Sequence, residues 1–258
     1  MRERPSLAGC SVLVTRAPDR AAPWMEVLEA RGATVEAREV FILDSMVAEP
    51  AARDAVAAVR DYVWVLLTSV NGLRFFREAL DLHGHDIDGL DARFGVVGPQ
   101  TAKALAACGI QPEVVAERAD SGGLADSVAG RIAAGQRVLI VRPEVSRPDL
   151  SQRLAAAGVE VDSVPFYRNR PAPNVANVAS ELSGGAFDVA VFGSPSSFLH
   201  LLDATGGSGP SSLAGVALVA IGETTADAIR GRGHEVAAVA RQPTATGIAD
   251  AVEAARSG

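Results

Sequence analysis

The sequence predicts an α/β fold whose parallel sheets are covered on both faces. Three observations carry this. Short apolar runs of strand length take turns with segments of helical periodicity along the chain. The runs are apolar at every position, as in VWVLL (Val63–Leu67), which suits strands buried on two sides. Finally, the series occurs twice, so the chain is read as two similar flavodoxin-like, parallel-sheet domains.

The elements follow in order. Ser11–Thr15 (SVLVT) is a β-branched strand, and Pro23–Ala30 is a helix with Trp24, Val27 and Leu28 on one face. Gly32 stands where a glycine closes a helix, and Thr34–Ile42 is extended. Helices are expected at Pro50–Arg60, Asn71–Leu82, Gln100–Cys108 and Gly123–Ala134. The strands between them are Tyr62–Thr68, Arg93–Val97 and Glu113–Ala116.

The series then restarts. Val138–Val141 with Arg142 repeats Val12–Val14 with Arg16 at an offset of 126, and Leu28–Phe41 matches Leu154–Tyr167 at the same offset. Leu66–Phe76 matches Val191–Leu201 at 125, and Val96–Val128 lies on Ala220–Val252 at 124 without a gap. In that last alignment 11 of 33 pairs are identical, among them Gly98/Gly222, Thr101/Thr225 and Gly123/Gly247. Ordered glycines and threonines are harder to attribute to alanine richness than the remainder, so two halves of roughly 125 residues and five strands each are expected.

Two doubly wound units leave a cleft, and ligands of such sheets bind outside the carboxyl ends of the strands. Four strand-end loops qualify: Thr68-Ser69-Val70-Asn71, Gly98-Pro99-Gln100-Thr101, Gly193-Ser194-Pro195-Ser196 and Gly222-Glu223-Thr224-Thr225. Each opens a helix, where free N–H groups and the macrodipole receive carboxylate or phosphate. Ser, Thr and Asn are also the ordinary helix caps. Four equivalent loops in two repeats favour a ligand. Arg16 and Arg142 end the first strand of each half, where a guanidinium can fork a carboxylate or simply stack on the next helix. Tyr167 lies in the extended stretch VPFYR ahead of the proline-rich Pro171–Pro173. Its hydroxyl could donate a proton or merely stay solvated. The repeat partner of Tyr167 is Phe41, so the scaffold does not require that hydroxyl.

Composition excludes several classes. With 24 basic and 31 acidic residues the net charge is −7, which argues against nucleic-acid or anionic-lipid partners. Cys10 and Cys108 lack metal or disulfide spacing, and His83, His85, His200 and His234 are scattered, so no metal is expected. There is no Gly-x-Gly-x-x-Gly after the first strands and no phosphate-loop Gly-Lys-Ser/Thr, which removes dinucleotide and nucleoside-triphosphate readings. No export signal or membrane span is visible, so a cytoplasmic protein is expected, and without long exposed apolar stripes a monomer.

In this order and spacing, several segments resemble uroporphyrinogen-III synthase over essentially the whole chain. They are VLVTRAPDRA, VWVLLTSVNGLRFF, FGVVGPQTAKALAACGI, RVLIVRPE, VPFYRNRP, FDVAVFGSPSSFLHLL, VAIGETTADAI and PTATGIADAV. The resemblance implies two α/β domains joined by a two-stranded crossing linker. Residues 1–40 plus 168–258 would form one domain and 41–167 the other. It also implies a lyase that closes hydroxymethylbilane, a linear tetrapyrrole with eight carboxylates, to uroporphyrinogen III. The last pyrrole ring is inverted, water is lost, and no metal or organic cofactor takes part. Tyr167 matches the family's favoured proton donor. By the same analogy Thr68, Ser69, Ser194, Ser196, Thr224 and Thr225 line the cleft. Gly193 and Glu223 depart from the threonine and proline usual there. The alternative is a two-lobed module that binds the anion without catalysis.

Overall fold

The computed structural model describes residues 6–206 and 213–257. The first half of the chain runs β1 (Ser11–Val14), α1 (Pro18–Ala30), β2 (Thr34–Ala37), β3 (Phe41–Ser45), α2 (Pro50–Ala57) and β4 (Trp64–Leu67). Next come α3 (Val70–Leu82), β5 (Arg93–Val96), α4 (Pro99–Ala106), β6 (Val114–Val115), α5 (Ser121–Val128) and β7 (Arg137–Pro143). The remainder is α6 (Asp149–Ala156), β8 (Glu160–Pro171), α7 (Val175–Ser183), β9 (Val189–Phe192) and α8 (Pro195–Ala204). It closes with β10 (Ala217–Ala220), α9 (Glu223–Arg230), β11 (Ala238–Val239) and α10 (Ala245–Ser257). Among the described residues no helix is long and apolar enough to cross a membrane.

The chain divides into two compact units, Met1–Ile42 with Arg170–Gly258, and Leu43–Asn169. The first unit holds a five-stranded sheet in the order β11-β10-β9-β1-β2, parallel at every pairing. Alternate strand residues feed opposite layers. Val12, Val14, Val189 and Val191 pack with Trp24 and Leu28 of α1 and Ile248 and Val252 of α10. Leu13, Ala190 and Phe192 pack with Leu182 of α7, Phe198 of α8 and Ile229 of α9. Both parities are buried, which is why these strands carry no polar alternation. Each such Val, Leu, Ile or Phe side chain contributes about 1.5–3 kcal/mol.

The second unit repeats the scheme. Its sheet runs β3-β8-β7-β4-β5-β6. Leu139, Val141, Val65 and Leu67 pack with α2, α3 and α4, and Val138, Ile140, Trp64 and Leu66 with α5 and α6. β3 makes this a six-stranded sheet rather than the five expected. The stretch Thr34–Ile42 is not one strand, because β2 ends at Ala37 and β3 belongs to the other sheet.

The repeat acquires a spatial meaning here. Strands β1, β2, β9, β10 and β11 take the order 2-1-3-4-5 within their unit. Their repeat partners β7, β8, β4, β5 and β6 occupy the same places in the second, but β4 to β6 come earlier in the chain. Each sequence half therefore gives its first two strands to one sheet and its last three to the other.

Two helix boundaries differ from expectation by more than three residues. α1 starts at Pro18, with Pro23 inside it, because Ala21 already shares the buried face of Trp24 and Leu28. α5 stops at Val128 instead of reaching Ala134, because Ala129 is extended and Gly130 takes φ +74°.

Candidate active site

Strand order reverses between β7 and β4 in the second unit, and there the carboxyl ends open onto a cavity of about 250 Å³. The loop after β4 supplies Thr68 and Ser69. Thr68 donates its hydroxyl to the Val141 carbonyl at 3.0 Å, fixing the two strand ends together. Ser69 is the N-cap of α3, its Oγ accepting from the Gly72 N–H at 2.9 Å.

The same Oγ lies 2.9 Å from the hydroxyl of Tyr167. Tyr167 arrives from β8 through an irregularity. Arg142 pairs with Pro165 but Pro143 pairs with Tyr167, so Phe166 is an extra residue. The bulge lets the consecutive Phe166 and Tyr167 enter one apolar layer. Tyr167 is only 5% exposed, and its ring stacks on Phe75 at 5.2 Å and 16°. The hydroxyl is therefore part of a packed hydrogen-bonded pair that borders the cavity. Burial pushes the phenol above its ordinary pKa, partly offset by the Ser69 hydrogen bond and nearby Arg74.

Arg142 ends β7 on the cavity wall. Its Nε donates to Ser163 Oγ at 2.8 Å, and Nη1 to the carbonyls of Pro143 and Glu144 at 2.8 Å each. Burial lowers its pKa from the guanidinium value but leaves it cationic.

The cavity brings together four expected residues, Thr68, Ser69, Arg142 and Tyr167. Asn71 sits half-buried in the first turn of α3, away from the wall. Gly98, Gln100 and Thr101 open α4 at the end of β5, where Gln100 is exposed and Thr101 is 5% exposed. In the first unit Arg16 stacks on Trp24 of the following helix, 4.6 Å from the ring. Ser194 caps α8 in a reciprocal box with Ser197, with Pro195 and Ser196 in the first turn. Gly222 precedes α9, with Thr224 exposed and Thr225 buried. Gly98, Gly222, Ser69 and Ser194 share one extended conformation, and only the two serines add a side-chain cap.

Sequence reasoning missed Ser121, Ser146, Arg147, Ser151 and Ser163, which also line the cavity. Ser146 and Arg147 were findable: they lie in the loop after β7, to which the strand-end rule applies equally. Ser163 needed the register, which sets it beside Ile140. Among the described residues no group of three or more His, Cys, Asp or Glu could hold a metal ion.

A family model described as Uroporphyrinogen-III synthase HemD matches residues 22–250. The chain belongs to the uroporphyrinogen-III synthase family. A porphyrin biosynthesis protein HemD of Ruminiclostridium josui is 31% identical over 162 residues, 62% of this chain and 32% of that relative. A uroporphyrinogen-III synthase of Synechococcus elongatus is 31% identical over 176 residues, 66% of this chain and 64% of that relative. The match thus spans about a third and just under two thirds of these relatives. The crystal structure of a mutant uroporphyrinogen III synthase from the extremely thermophilic bacterium Thermus thermophilus shares the fold with a TM-score of 0.76. It is 23% identical, covering 96% of this chain and 99% of that one. A Helicobacter pylori uroporphyrinogen-III synthetase gives 0.57 at 13% identity, covering 93% and 97%.

Both tyrosines of this family member are held protonated. Tyr62 is raised by burial and then by the hydrogen bond its O–H donates to Asp162 Oδ2 at 2.7 Å. Tyr167 is raised chiefly by burial. The neutral forms are favoured in the fold, so this contribution to stability is intact below about pH 10 and lost as pH climbs through the folded values. Ultraviolet titration of the native protein is expected to show no phenolate below about pH 10, with an ordinary midpoint near 10 once unfolded. A native phenol ionising below about 10 contradicts the packing described for it.

Proposed function

We propose that this chain is a uroporphyrinogen-III synthase, a lyase that closes hydroxymethylbilane to uroporphyrinogen III with inversion of the last pyrrole ring and loss of water. The observation that carries the reading is the Tyr167–Ser69 pair. It sets a neutral phenol, locked in place by Phe75, at the edge of a cavity walled by hydroxyls and arginine.

Tyr167 gives its proton to the departing hydroxyl, which leaves as water and converts the chain end to an azafulvene. Ser69 steadies the resulting phenolate with its O–H, its other side anchored by the Gly72 N–H. The azafulvene carbon bonds to the substituted carbon of the last ring, giving a spiro intermediate; the bond from that carbon to its original methylene bridge then breaks, and the methylene rejoins the ring at the free position beside nitrogen. The proton lost when that ring becomes aromatic again restores Tyr167. Closure without inversion occurs spontaneously, so the protein's task is to hold one folded geometry of the substrate. Arg16, Thr68, Asn71, Gly98, Gln100, Thr101, Arg142, Ser194, Pro195, Ser196, Gly222, Thr224 and Thr225 are the substrate-binding set, offering helix N-termini and guanidinium groups to its carboxylates.

The enzyme works as a cytoplasmic monomer. Its free thiols Cys10 and Cys108 support the compartment, and the few large apolar side chains exposed among the described residues support the monomer.

The deciding experiment supplies freshly made hydroxymethylbilane, oxidises the product and resolves the isomers. Isomer III is expected to dominate. Isomer I at the level of a protein-free control would leave only the non-catalytic binding module.

A further inference from the structure

We infer that the cavity at the ends of β4 and β7 is a receptor for one carboxylate-bearing arm of the substrate, with Arg142 as a fixed wall charge and Arg147 as its solvent-side partner. This rests on the proposed reaction with a polycarboxylate tetrapyrrole and goes beyond it by placing one point of attachment.

The first argument is charge. The chain carries −7 overall, yet no aspartate or glutamate lines this cavity, while two arginines do. Among the described residues neither Arg142 nor Arg147 has a carboxylate within ion-pair distance. Glu144, the acid adjoining the wall, lies 4.0 Å from Arg168 and acts on Arg142 only through space.

The second argument is how Arg142 is held. Its hydrogen bonds run to Ser163 Oγ, Ser163 O, Pro143 O and Glu144 O, all of them neutral oxygens. Those bonds fix the guanidinium without neutralising it. Four of its five N–H donors are spent in this way, and the fifth remains to meet a carboxylate, on a cation immobilised at a half-buried strand end with only the nearby charge of Glu144 acting on it.

The third argument is shape. Ile140, Pro143, Val145 and Leu150 give the wall an apolar part, suited to the methylene stem of an acid arm. At roughly 30 Å³ per water-sized group, a cavity of about 250 Å³ accepts an arm but not a tetrapyrrole. The ring system stays outside, at Tyr167.

The test measures equilibrium binding of uroporphyrin III, the oxidised product, by its fluorescence, alongside turnover of hydroxymethylbilane. Arg147→Gln is expected to weaken binding about five- to tenfold and to raise KM in step, Arg147→Glu more, while Arg147→Lys stays within about threefold. Lys103→Gln removes the same charge from the exposed face of α4 and is expected to change neither. The porphyrin octamethyl ester should not bind. Wild-type affinity in both Arg147→Gln and Arg147→Glu overturns the receptor, as does equal weakening by Lys103→Gln. Absence of isomer III from the wild type defeats the proposed reaction instead, and the binding arm still decides the receptor.

Discussion

Tyr167→Phe is expected to lower formation of uroporphyrinogen III by roughly 10²–10⁴-fold, the worth of one general acid. The substitution removes one oxygen and little else. The phenyl ring can keep its stack on Phe75, and Ser69 keeps the Gly72 N–H that caps α3. The repeat itself offers the precedent: Phe41 occupies the equivalent position in the other half and stacks on His200 at 5.9 Å. Thermal stability should therefore change little while turnover collapses. The isomer ratio should move with it. Spontaneous closure proceeds at its own rate, so a slower enzyme loses the race and isomer I accumulates in proportion. Single-turnover measurement of water loss, with isomer analysis of the same samples, checks both. Wild-type rates with Phe at 167 would take this tyrosine out of the mechanism and leave the cavity as a binding element alone.

Why some of this was legible in the sequence and some was not follows from where each feature is encoded. Strands buried on both faces announce themselves, because Val12, Leu13 and Val14 must all be apolar when odd and even positions feed separate layers. Helix caps are equally local: Ser69 and Ser194 are read directly from the residues that precede α3 and α8. The bulge at Phe166 is different. Nothing in VPFYR says that two adjacent residues will turn the same way. The insertion exists only relative to the pairing partner β7. Ser163 is invisible for the same reason, since its role depends on the Arg142 guanidinium across the ladder. The exchange of strands between the two sheets sits further still from local signals. The repeat is tandem in the chain; the discontinuous division is implied by the family resemblance and not by periodicity, and the non-sequential neighbours β9-β1 and β4-β7 show how each sheet is assembled from both halves.

Substituting Gly123 or Gly247 with alanine is expected to destabilise the unit that contains it by about 2 kcal/mol. The two glycines are repeat partners, and each is the third residue of its helix, α5 and α10. A Cβ built on Gly123 would lie 2.3 Å from the Arg118 carbonyl oxygen, and one on Gly247 2.3 Å from that of Gln242. Both obstacles are backbone, which yields less readily than a side-chain tip. The opposite side of each glycine is committed as well. Gly123 donates its N–H to Asp120 Oδ1 at 2.6 Å, and Gly247 to Thr244 Oγ1 at 3.1 Å. Alanine must therefore push the incoming loop away from the helix and loosen the cap. These costs, about 1–3 and about 1 kcal/mol, outweigh the helix propensity of about 1 kcal/mol that alanine gains over glycine. Gly89→Ala is the control, because no atom stands within 4 Å of its Cβ position and its φ is not left-handed. Calorimetry should show a fall of about 4–8 °C for each repeat glycine and almost none for Gly89. Hydrogen exchange should place the loss in Leu43–Asn169 for Gly123→Ala and in the other unit for Gly247→Ala. If both alanines melt like the wild type, steric demand is not what makes these glycines identical in the two halves, and the close loop-to-helix approach at each site is not tight enough to matter.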